Sequence, residues 1–63
     1  MSAASDILAS LPPGYPVDRV CVDGTFQDTT NFVIVNNGLA YFNSPQGLLV
    51  FNVSSIDGLD LTA

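Results

Sequence analysis

Few side chains in this sequence could do chemistry. All six acids of the 63-residue chain are Asp (Asp6, Asp18, Asp23, Asp28, Asp57 and Asp60), Arg19 is its one basic residue, Cys21 its one cysteine, and it has no His. A zinc site of His and Cys, or a Ser or Cys nucleophile activated by His, needs residues this set lacks. Asp23-Gly24 and Asp57-Gly58-Leu59-Asp60 offer oxygen ligands of the kind Ca²⁺ or Mg²⁺ takes, without the spacing of a calcium loop. The plainer reading is that Asp precedes Gly because tight turns favour both residues. Acid–base catalysis would need an Asp with a raised pKa in a cleft, whereas all six lie beside turns or at element ends. Cys21 sits inside an apolar stretch and reads as a small core residue. Arg19 reads as a solvated arginine or, in an oligomer, as an interface anchor, since Arg is enriched in hot spots. The expectation is a non-enzymatic chain with no cofactor and no metal. A formal net charge of −5 argues against holding nucleic acid by phosphate neutralisation.

The elements that would position these residues follow from turn and helix signals. The chain reads as a single domain, 1–63. Residues 1–11 read as a short helix: Ser5 can cap it, Asp6 suits its positive end, and Ile7, Leu8 and Leu11 share a face. Pro12-Pro13 stops it, and 12–16 form a stiff, Pro-rich connector. Residues 17–63 read as a β meander. Val17 to Val22 alternates, with Val20 and Val22 on one side and Arg19 and Cys21 on the other. Asp23-Gly24 turns it into a short return strand, Thr25 to Gln27. Asn37-Gly38, between Phe32-Val33-Ile34-Val35 and Leu39-Ala40-Tyr41-Phe42, is the strongest hairpin signal, because both turn residues need positive φ. It sets Val35 opposite Ala40, Ile34 opposite Tyr41 and Val33 opposite Phe42. Ser44-Pro45-Gln46-Gly47 has the pattern of a type I turn. Leu48 to Val53 is the next strand, Ser54 to Gly58 breaks it, and Leu59 to Leu61 adds a short last strand. The fold class is all-β: a small antiparallel meander or barrel of about five strands with one short N-terminal helix.

The three central strands are apolar on both faces, where a sheet with one wet face alternates. Phe32, Ile34, Leu39 and Tyr41 would lie on one side of the hairpin, and Val33, Val35, Ala40 and Phe42 on the other. Either a closed barrel plugged by the helix buries both sides, or one face or a sheet edge is an intersubunit surface. An apolar patch of that size is unusual on a free monomer, and no Lys blunts the edges. The candidate interface residues are Ile7, Leu8, Leu11, Tyr15, Arg19, Phe32, Ile34, Leu39, Tyr41, Leu49 and Phe51. Size favours the second reading. Ordering a chain of this length costs roughly 1.5 kcal/mol per residue, which a lone core of this size barely offsets without disulfides, metal or oligomerisation. Cys21 has no partner for a disulfide. Charged residues are 11% of the chain, against about 25% in typical soluble domains, as expected if part of the surface is covered.

The expected partners are copies of the same chain or a larger protein lattice, with no nucleic acid and no membrane. No signal-peptide core or spanning segment is visible, so the expected location is a virion or the host-cell cytoplasm rather than a secretory route. Asn52-Val53-Ser54 matches the glycosylation pattern and reads as chance in that setting. Tiny size, low charge and turns rich in Asn, Ser and Thr make the chain look like small virion proteins, such as capsid decoration (cement) or tail components of phages. The order of elements also resembles that of Sm-like RNA-binding proteins: a helix, a first hairpin at Asp23-Gly24, Asn31-Phe32-Val33-Ile34 as second-strand segment and Leu49 to Ile56 as paired edge strands. That resemblance implies a bent five-stranded barrel and ring assembly. The basic residues that hold RNA in that family are absent here. A third reading, an acidic inhibitor mimicking nucleic acid, needs a denser acidic face than six Asp supply.

Overall fold

A computed structural model describes residues 3–61. Helix α1 (Ala3–Ser10) is followed by β1 (Val17–Val22), β2 (Thr25–Asp28), β3 (Asn31–Asn36), β4 (Leu39–Ser44) and β5 (Gly47–Asn52). A 3₁₀ turn (Val53–Ser55) then leads into β6 (Ile56–Leu61). The chain is all-β with one short helix, as its turn signals imply. Six strands form among the described residues, and they divide into two antiparallel three-stranded sheets, ordered β2-β1-β6 and β3-β4-β5. The barrel of the sequence reading and of the Sm-like order is therefore not closed.

Both Asx-Gly turns form as expected, with Asp23 and Gly24 at φ 50° and 79° and Asn37 and Gly38 at 53° and 74°. At Ser44–Gly47 the Ser44 hydroxyl donates to the Gly47 carbonyl (2.8 Å) and accepts from the Gln46 N–H (3.2 Å). Four expectations need correction. The helix includes Ser5, so Ser5 does not cap it, and its expected start at residue 1 lies outside the described residues. Ile56-Asp57-Gly58 belongs to β6, which pairs with β1 along most of its length. β5 begins at Gly47 and ends at Asn52, with Val53 in the 3₁₀ turn. Finally, Phe42 faces Phe32 and not Val33, because the β3–β4 register shifts between Phe32 and Ile34. Val33 is the extra residue of a bulge, which rotates Phe32 onto the inner face.

The core lies between the sheets. Leu8, Val17, Val20, Phe32, Ala40, Phe42 and Ile56 are buried, with Leu11, Val22, Val35, Phe51, Val53 and Leu59 packed around them. Phe42 meets Phe32 edge-on at 5.8 Å and Phe51 at 6.1 Å, a geometry aromatic quadrupoles favour. A second irregularity, between Val17 and Arg19, lets Val17 and Val20 both point inward although three residues apart. The helix contributes Leu8 to the core and leaves Ile7 41% exposed. Backbone bonds tie the connector to the second sheet: Gly14 N–H donates to the Phe32 carbonyl (2.7 Å) and Phe32 N–H to the Tyr15 carbonyl (2.8 Å). Buried Thr29 pins the β2–β3 connection to β1, its hydroxyl donating to the Val17 carbonyl at 2.7 Å.

Candidate functional site

Charge divides between the two sheets. Residues 29–56 contain no Asp, Glu, Lys or Arg, and they include all of β3, β4 and β5. The first sheet and its turn hold Arg19 and five of the six Asp, while Asp6 lies on α1. One half of the molecule is acidic and the other neutral. This partition is visible in the sequence as an uncharged run, a signal that residue-by-residue reading of the acids passes over.

On the acidic half, Arg19 stands opposite both Asp28 and Asp60 in the ladders. It ion-pairs with Asp60 at 2.8 Å, and its guanidinium lies over the Phe26 ring at 4.5 Å from the centroid, where a cation is attracted to the ring face. The hydrogen bond to Asp60 raises the Arg19 pKa above its ordinary value, and the charges of Asp60, Asp18 and Asp28 add to the effect. Asp57 accepts a hydrogen bond from the Gly24 N–H at 2.8 Å and so braces the β1–β2 turn. Half-buried Cys21 lies beside Arg19 and Phe26 in an open cleft of about 460 Å³. Arg19, Asp57 and Asp60 have structural partners on their own sheet. Among the described residues no three His, Cys, Asp or Glu side chains gather as a metal site.

The neutral half presents a different surface. Ladder pairing puts Ile34, Tyr41 and Val50 in one row across the three strands. The adjoining rows are Asn36–Leu39–Asn52 on one side and Asn31–Asn43–Leu48 on the other. Ile34 is 50% exposed, Val50 44% and Leu48 59%, with Leu39 and Tyr41 half-buried between them. The outer face is thus an apolar centre edged by four asparagines. Interfaces share that anatomy, an apolar core poor in charge inside a polar rim. A shallow groove of about 330 Å³ between α1 and β3 continues the apolar surface along Leu11, Pro13 and Val33.

The structure brings together Ile34, Leu39 and Tyr41 from the sequence-derived candidates. Leu8 and Phe32 are corrected: both are core residues, 2% and 3% exposed, Phe32 because of the bulge. Phe51 faces inward and packs on the core, and Leu49 shares its face by strand alternation. Leu11 packs against the core beside them. Ile7 and Arg19 are exposed away from this sheet, and Tyr15 lies half-buried in the connector. Leu48 and Val50 were missed. Leu48-Leu49-Val50-Phe51 is apolar throughout, so the sequence does not reveal which alternate pair faces out.

Compared with known protein families, characterised proteins and solved structures, the chain matches none. No helix among the described residues is long and apolar enough to cross a membrane.

Proposed function

We propose that the chain is a non-enzymatic assembly subunit that associates with copies of itself through the neutral β3-β4-β5 sheet. The observation that carries this reading is the pairing of an exposed Ile34–Tyr41–Val50 row with a complete absence of charge on the same sheet. Burying apolar area stabilises by about 25 cal/mol per Å². On this sheet no charge has to be desolvated to gain it. Bringing two acidic halves together would instead oppose like charges, an interaction screened only beyond about 8 Å at physiological salt. The small core supports the same reading, since a chain this short gains a large share of its stability from whatever covers its remaining apolar surface.

The setting we propose is a larger protein shell of the kind small virion proteins build, on the strength of compositional likeness: tiny size, few charges and polar uncharged turns. The test is sedimentation equilibrium of the chain and of Ile34→Lys. The wild type is expected to pass from monomer to associated form between about 1 and 100 µM, and Ile34→Lys to weaken association at least about tenfold, because a buried unpaired ammonium is costly. A folded wild-type monomer throughout that range would refute the proposal.

A further inference from the structure

Resting on the assembly reading, we infer that two copies join edge to edge, β5 against β5, to make one continuous six-stranded antiparallel sheet. Three of the four sheet edges carry the devices that discourage strand addition. β2 has four residues and ends at Asp28. β6 carries Asp57 and Asp60 and packs against α1. β3 has its bulge at Val33, and the connector covers its first residues. β5 has none of these devices. It pairs with β4 over six consecutive residues without a register shift, contains no proline and no charge, and neighbours only β4 among the described strands.

The free backbone groups of β5 are identifiable. Val53 N–H donates to the Gly38 carbonyl at 2.9 Å, one step beyond the Leu39–Asn52 pair. Hydrogen-bonded and non-bonded pairs alternate along an antiparallel ladder. Gly47, Leu49 and Phe51 therefore bond to β4, and the N–H and C=O groups of Leu48 and Val50 and the N–H of Asn52 point to the open edge, the Asn52 carbonyl being taken up as N-cap of the 3₁₀ turn. A two-fold axis beside Val50 pairs Val50 with its own copy through two bonds and brings each Asn52 N–H to the partner copy's Leu48 carbonyl, four new backbone bonds in all. In that register the Ile34–Tyr41–Val50 row runs on into its symmetry mate, giving one apolar row across six strands and a wider face for burial against further copies. A second copy is the occupant that fits. The edge is self-complementary about a two-fold axis, and both approaching surfaces are neutral although each chain carries −5.

Val50→Pro tests this, because it deletes an N–H that points away from β4 and is tolerated on an edge strand for that reason. Asn52→Pro, which deletes another edge N–H at a residue whose φ of −64° suits proline and which lies outside the Ile34–Tyr41–Val50 row, is the second variant should the first fail to fold. Sedimentation is combined with amide hydrogen exchange on the full chain. The expected result is a wild-type dimer with slowed exchange at Val50 and Asn52, and at least a 100-fold loss of self-association in the folded variant with the remaining one of those amides exchanging freely. If the folded variant still associates like the wild type, edge pairing is wrong while assembly through the sheet face stands. A wild-type monomer overturns both.

Discussion

Neighbouring residues of β5 should fail in opposite ways. Phe51 packs against buried Phe42 at 6.1 Å, whereas Val50 is 44% exposed on the other side of the same strand. Phe→Ala in a full core costs about 3–5 kcal/mol, so Phe51→Ala, at a half-buried position, should cost about 2 kcal/mol. Unfolding entropy of about 2.1 cal/mol/K per residue gives roughly 0.13 kcal/mol/K for this chain, so the thermal midpoint falls by about 15 °C. Val50→Thr keeps the β-branched shape and strand preference, and in a single chain should cost under about 0.5 kcal/mol, or about 4 °C. The order reverses for association: Val50→Thr places a hydroxyl at the centre of the contact, while Phe51→Ala leaves that contact untouched. The assay is thermal unfolding by far-UV circular dichroism at about 1 µM and again at about 100 µM, since a contact made only by the folded state raises the midpoint with concentration. If Val50→Thr destabilises the dilute chain as much as Phe51→Ala does, Val50 belongs to the core and the assignment of the outer face is wrong.

Other outcomes follow from single interactions. Thr29→Val should cost about 1–2 kcal/mol by urea denaturation, because the buried hydroxyl bonded to the Val17 carbonyl is lost. Gly38→Ala forces a Cβ into left-handed backbone at φ 74° and should cost about 1–2 kcal/mol in the same assay. Asp60→Asn should barely move the thermal midpoint, since the Arg19–Asp60 pair is exposed on both sides (44% and 46%).

The turns were the most legible part of this fold. Asp23-Gly24 and Asn37-Gly38 each demand two positive φ values, which few residue pairs tolerate, so they fix two hairpins from sequence alone. Val17–Val22 was bounded correctly by a proline on one side and Asp-Gly on the other. The bulge at Val33 left no trace, because Phe32-Val33-Ile34-Val35 is equally apolar in either register, and one inserted residue moved Phe32 from the expected outer face into the core. β6 was hidden for the opposite reason. Asp57-Gly58 has turn chemistry, yet Gly58 lies opposite Cys21 in a ladder and Asp57 braces a neighbouring turn. Part of the candidate surface was legible: Ile34, Leu39 and Tyr41 follow from the hairpin register. Leu48 and Val50 required the pairing of β5 with β4. The neutrality of the sheet was in the sequence throughout, and acquired meaning once residues 31–52 proved to form one sheet with every charge but that of Asp6 on the other.

The most direct measurement is sedimentation velocity of the wild-type chain over a hundredfold range of concentration, at low salt and at about 1 M salt. An assembly held by a neutral apolar sheet should appear as a discrete multiple of 6.6 kDa that grows with concentration and persists or strengthens in salt, as repulsion between acidic halves is screened. A folded 6.6 kDa monomer at every concentration, or a complex that salt dissolves, would contradict the account.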